Sequence, residues 1–103
     1  MTDTIIKLPG TDLASRHTAA TVRYNLASAV SAGNRVVIDL SEIESVSYSY
    51  ADELFGVIAA TQGFDWLVEK VKIVNAKEHV LRVIAEVISR RLKETGQPIR
   101  RRA

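Results

Sequence analysis

The sequence contains no cysteine, which removes disulfides and thiolate metal sites from consideration. Its five glycines are scattered at positions 10, 33, 56, 63 and 96, so no glycine-rich phosphate loop is present. No stretch approaches the ~18 consecutive apolar residues of a membrane span, and the opening residues MTDTIIKLPG have neither the basic flank nor the apolar centre of a signal peptide. A cytoplasmic chain without a membrane segment is the expectation. The strings His-Glu-x-x-His and Gly-x-Ser-x-Gly are also missing. The two histidines, His17 and His79, fall on separate predicted helices among polar neighbours and read as solvated surface groups. Asp39 and Asp52 would have to converge to hold Mg²⁺, a cation of carboxylate oxygens. No catalytic residue, metal or cofactor is expected, and the chain reads as a non-enzyme.

What is present fits one small domain: 103 residues, 47% hydrophobic and 25% charged. Such a chain buries roughly two thirds of its unfolded surface and is marginal alone. Thr4–Leu8 (TIIKL) is short, β-branched and followed by Pro9-Gly10, which reads as a strand and turn. Thr11 or Asp12 is placed to cap a helix running to Ala32, with Ala19, Val22, Leu26, Ala29 and Val30 on one stripe and Gly33 as the stop. Residues 35–40 (RVVIDL) form a nearly unbroken apolar run, the pattern of a strand covered on both faces. A second helix is predicted from about Ser49 to Gln62, and residues 64–69 read as a helical turn or a loop. Residues 71–75 (VKIVN) give a third strand, and 76–94 a third helix with Val80, Ile84, Val87, Ile88 and Leu92 on one face. The order β-α-β-α-β-α implies an α/β fold with a small, mainly parallel sheet and helices on both sides. The domain is expected to span residues 1–96, with 97–103 as a basic, flexible tail. Three strands leave open edges, which invite strand pairing or a homodimer.

Charge is distributed unevenly. Residues 1–76 carry six Lys/Arg and nine Asp/Glu, whereas residues 77–103 carry eight Lys/Arg and three Asp/Glu. Arg90, Arg91, Arg100, Arg101 and Arg102 therefore support an alternative reading, a nucleic-acid-associated accessory protein working through its basic C-terminus. The aromatic residues that would stack bases are not interleaved with these charges.

The most unusual stretch is residues 45–56, SVSYSYADELFG. Ser49 followed by Asp52 has the form of a capping box, with Ser49 Oγ accepting from the Asp52 amide. Asp52 and Glu53 in a first turn would each complement the helix dipole by ~0.3–1 kcal/mol. Capping does not account for Tyr48 and Tyr50. Both stand where a parallel strand hands over to a helix, the edge at which open α/β sheets meet ligands and partners. An exposed tyrosine there supplies contact area, while a core position remains open for Tyr50.

The run Val36-Val37-Ile38-Asp39-Leu40-Ser41-Glu42-Ile43, followed by Tyr50-Ala51-Asp52-Glu53-Leu54-Phe55-Gly56, resembles the bacterial STAS-like family of unknown function. Arg16 and the strand Lys72-Ile73-Val74-Asn75 fit the same pattern, and the resemblance spans about residues 10–92. That family is similar in turn to STAS-domain anti-sigma-factor antagonists, in which a GHKL-type ATPase phosphorylates a Ser or Thr at a helix opening. By position Ser49 matches that residue. Where the antagonists read Asp-Ser-Ser/Thr-Gly, this chain reads Ser47-Tyr48-Ser49-Tyr50 and lacks both the aspartate and the glycine. The resemblance implies a signalling domain that binds a GHKL-type ATPase or a related regulator through Ser47, Tyr48, Tyr50, Asp52 and Glu53, with Ser49 as candidate phospho-acceptor. A phosphate there would be repelled by Asp52 and Glu53 and would disfavour an acidic partner.

Overall fold

The computed structural model describes residues 2–96. Strand β1 (Thr2–Lys7) is followed by a two-residue strand β2 (Asp12–Leu13), helix α1 (Arg16–Ser31), strand β3 (Asn34–Asp39) and a two-residue strand β4 (Ser45–Val46). A continuous helical rod comes next: α2 (Tyr48–Ala51), a π-helical segment (Asp52–Gly56) and α3 (Val57–Gln62). Helix α4 (Phe64–Lys70), strand β5 (Val71–Val74) and helix α5 (Glu78–Glu94) complete the order. The main sheet is parallel in the order β1-β3-β5, and β2 pairs with β4 as a separate parallel bridge. The α/β class, the small parallel sheet and the packed helices thus agree with the sequence pattern.

Helix α1 begins later than the sequence suggested. Thr11 and Asp12 serve the β2–β4 bridge instead: the Thr11 carbonyl accepts from the amides of Glu44 and Ser45, and Asp12 Oδ1 accepts from Ser45 Oγ at 2.6 Å. Ser15 is the actual cap, its hydroxyl accepting from the Thr18 amide. At the other end Gly33, at φ 92°, reverses the chain at no steric cost. Gly63, at φ 93°, does the same between α3 and α4, so residues 64–69 form a helix of their own.

The expectation of helices on both faces of the sheet is not met. The strands follow one another across the sheet in chain order. Right-handed crossovers that always step in one direction carry every connection over the same face. On that face Val36 and Ile38 are fully buried, with Val71 beside them and Ile6 and Ile73 packed against the core. Burying each such side chain stabilises by roughly 1.5–3 kcal/mol. Ile5, Val37 and Val74, on the opposite face, take no part in the core, and Ile5 is 68% exposed. The helical rod packs between α1 and α5 rather than across the sheet, burying Tyr50, Ala51, Leu54 and Phe55 almost completely.

Candidate functional site

The corner where β4 meets the helical rod is built by its serines. Val46 completes the bridge with Leu13, and the Ser47 amide donates to the Leu13 carbonyl at 2.8 Å, which keeps Ser47 extended. An extended residue ahead of a helix is the cap, so Ser47 takes the role expected of Ser49. Its hydroxyl accepts from the Tyr50 amide at 3.0 Å and donates to the Ala14 carbonyl at 3.2 Å, tying the starts of α1 and α2 together. Ser45 Oγ is committed to Asp12. Ser49 is exposed, and its hydroxyl makes no hydrogen bond among the described residues.

The two tyrosines separate. Tyr48 is 46% exposed and lies along α5, where its hydroxyl donates to Glu86 and the Arg90 guanidinium sits 5.8 Å from its ring centre. The hydrogen bond to Glu86 raises the Tyr48 pKa. Tyr50 is sealed in the core, and its hydroxyl has no partner among the described residues. Burial alone pushes its pKa up.

Asp52 and Glu53 face arginines. Arg91 forks onto Asp52 with Nε–Oδ1 at 2.8 Å and Nη2–Oδ2 at 2.7 Å. Arg23 holds Glu53 through Nη2–Oε2 at 2.7 Å and donates Nε to the Glu53 carbonyl at 2.9 Å. Arg16 bridges the two acids, at 3.0 Å from Glu53 and 3.4 Å from Asp52. Hydrogen bonds from Arg91 and Arg16 lower the Asp52 pKa, and those from Arg23 and Arg16 lower that of Glu53. Two planar guanidinium forks, one from α1 and one from α5, thus lock the rod from both sides. Gly56 makes room for this. A Cβ at that position would stand 2.4 Å from Asp52 Oδ1 and 3.1 Å from Arg91 Cγ. The Val57 amide donates to the Asp52 carbonyl, closing the wider turn of the π segment around the same two residues.

Asp39, at the end of β3, has a local duty. Its Oδ1 accepts from the Ser41 amide at 3.0 Å and from Asn75 Nδ2 at 3.3 Å, and these bonds lower its pKa. Its carboxylate and that of Asp52 therefore serve different partners. No group of three or more metal-ligating side chains gathers among the described residues. His17 and His79 are both exposed, and His79 Nε2 lies within hydrogen-bond distance of the Glu44 carbonyl. An open groove of about 360 Å³ on α5, lined by Phe64, Leu81, Ile84 and Ile88 among others, has no charged side chain among the described residues that line it.

With this geometry in place, the string Tyr50-Ala51-Asp52-Glu53-Leu54-Phe55-Gly56 can be read position by position: core residues, an arginine lock, and a glycine that leaves room for the lock. A family model described as STAS-like domain of unknown function (DUF4325) matches residues 18–81. The chain belongs to this family. The match starts within α1 and ends in the first turn of α5, so it contains the rod and both acids of the STAS-like domain. No curated protein and no solved structure matches the chain.

The residues singled out in the sequence fall into three groups. Tyr48 and Ser49 stand at the surface; Tyr50, Asp52 and Glu53 point into the fold, and Ser47 caps it. Arg90 lies over Tyr48 and Arg91 is engaged by Asp52, while Arg100, Arg101 and Arg102 lie outside the described residues. Arg16 and Arg23 were not recognised as partners of the acids. Their separation by seven residues, two turns of one helix face, was the available signal. Among the described residues no helix is long and apolar enough to cross a membrane.

Proposed function

We propose that this STAS-like domain is a non-catalytic protein-interaction module of a signalling system, that it docks on a GHKL-type ATPase or a related regulator through Tyr48 and Ser49, and that phosphorylation of Ser49 switches the contact. The observation that carries this reading is the division of labour among the serines. Ser45 and Ser47 spend their hydroxyls on the fold, whereas Ser49 presents an exposed, uncommitted hydroxyl one residue from an exposed tyrosine. Tyr50, Asp52 and Glu53 would support this surface from beneath rather than touch the partner.

The repulsion expected between a Ser49 phosphate and the two acids would be offset by the arginines. Arg16, Arg23 and Arg91 face Asp52 and Glu53, with Glu94 also acting on Arg91, so both acids are already neutralised. At 3.6 residues per turn, the direction of Ser49 from the helix axis falls between those of Asp52 and Glu53. Arg91 and Arg23 each have a carboxylate of their own, so the half-exposed Arg16, which bridges the two acids, is the cation that a dianion one turn above would draw on. The domain would remain folded when modified, and the change would be felt by the partner.

The test is incubation of the full chain with a GHKL-type ATPase and ATP, followed by peptide mass spectrometry. Phosphate on Ser49, together with weaker ATPase binding by Tyr48→Ala and Ser49→Asp, is the expected result. An unmodified Ser49 peptide with undiminished binding by both variants overturns the proposal.

A further inference from the structure

The bare face of the sheet carries an ordered pattern. Registers across the strands place Asp3 beside Arg35, Ile5 beside Val37 and Lys72, and Lys7 beside Asp39 and Val74. Strand alternation puts all of these on the face that the helices leave open. Arg35 and Asp3 are paired at 3.4 Å, confirming that they share it. Parallel sheets are ordinarily covered on both faces, yet Ile5 is 68% exposed and Val37 and Val74 stand outside the core.

Along β1 the order is acid, isoleucine, base; along β3 it is base, valine, acid. A second copy stacked face to face, with its strands antiparallel, inverts each order. Asp3 then meets Lys7 of the second copy, Arg35 meets its Asp39, and Ile5 and Val37 meet themselves at the centre, while Lys72 in the same row meets its own copy at the edge strand, where a long side chain reaches solvent. Stacking with the strands parallel instead sets Arg35 against Arg35 and Asp39 against Asp39. Over both copies the antiparallel stack has four opposite-charge contacts against the one Lys72 pair at the edge, so the charges favour this two-fold arrangement over the other.

We propose that this sheet face is a self-association surface, and that the chain forms an antiparallel, face-to-face dimer through Asp3, Ile5, Lys7, Arg35, Val37 and Asp39. Sheets stacked in this way lie about 10 Å apart, close enough for the central apolar rows to interdigitate. The face measures about 20 × 14 Å from ordinary strand rise and spacing, a footprint of ~300 Å². That is small beside the ~800 Å² per partner of a stable complex, so the dimer dissociates on dilution. The helical layer lies on the other side of the sheet, and Tyr48 and Ser49 remain accessible in both copies.

Sedimentation equilibrium of the full chain between about 10 µM and about 1 mM tests the proposal at affinities expected of weak interfaces. A concentration-dependent monomer–dimer equilibrium is expected. Ile5→Glu sets two carboxylates against each other at the centre and removes the dimer. Asp3→Lys creates two like-charge contacts by symmetry and weakens it roughly tenfold; the double change Asp3→Lys with Lys7→Asp restores the opposite charges between copies and recovers part of the affinity, each new side chain now standing beside a like charge on β3. Both side chains are exposed, and thermal melts establish that each variant is folded. A monomer throughout the range, a dimer indifferent to Ile5→Glu, or a double change that recovers none of the affinity overturns the proposal.

Discussion

Replacing Gly56 with alanine sets two effects of known sign against each other. In a helix interior alanine is favoured over glycine by about 1 kcal/mol. The added Cβ, however, would stand 2.4 Å from Asp52 Oδ1, far inside contact distance. The carboxylate must move, and with it the fork to Arg91 at 2.7 and 2.8 Å. Breaking a buried ion pair costs about 3–5 kcal/mol, but the Asp52 and Arg91 side chains keep 20% and 32% of their exposure. Discounted for that solvent access, the loss is roughly 2–4 kcal/mol. The clash outweighs propensity, and Gly56→Ala should destabilise by roughly 1–3 kcal/mol, lowering the melting temperature of a domain this size by about 5–20 °C. Thermal unfolding followed by circular dichroism measures this. The same substitution in an Asp52→Ala background meets no carboxylate and should be neutral or stabilising by up to ~1 kcal/mol, a change of sign between coupled neighbours. A stabilising Gly56→Ala in the native background, or one sign in both backgrounds, would refute the assignment of Gly56 to the lock.

Three further outcomes are expected. Tyr50→Phe removes a buried hydroxyl without a partner among the described residues and should leave the melting temperature unchanged or raise it by the equivalent of up to ~1 kcal/mol, whereas loss of a made hydrogen bond would lower it. Ser47→Ala should cost about 0.5–2 kcal/mol in chemical denaturation and Ser49→Ala close to nothing, because only Ser47 caps the rod. The depressed pKa values of Asp52 and Glu53 mean that the folded state binds fewer protons than the unfolded chain at acid pH. Their contribution is complete above the ordinary carboxylate values of 3.8 and 4.5 and is lost as pH falls through the folded values. Urea midpoints measured from neutral to acid pH should fall in that window, and by less in Arg91→Ala.

Much of the fold was legible in the sequence. Apolar runs bounded by Pro9-Gly10, Gly33 and Gly63 marked three strands and the ends of their helices, and their alternation fixed a parallel sheet. Which faces the helices cover was not legible. It depends on strand order, and residues 35–40 have the same apolar run whether one face or two are covered. The caps were misplaced for a related reason: both Asp12 and Ser49 have capping chemistry, but the β2–β4 bridge decides where the chain becomes helical, and two-residue strands leave no periodicity. The acids of residues 52–53 were legible as a first-turn feature and not as a lock, because their partners lie 36, 30 and 39 positions away along the chain. The parting of Tyr48 from Tyr50 follows from the helical period once Ser47 is known to be the cap.

The central proposal is that Tyr48 and Ser49, supported by residues 50–56 beneath them, are read by another protein. Calorimetric titration of a GHKL-type ATPase with full-length chain carrying either serine or genetically encoded phosphoserine at position 49 tests it most directly. The account predicts binding by the serine form, with equal melting temperatures for the two forms and an affinity at least about tenfold weaker for the phosphoserine form. Equal affinities, or no binding by the serine form, would contradict it.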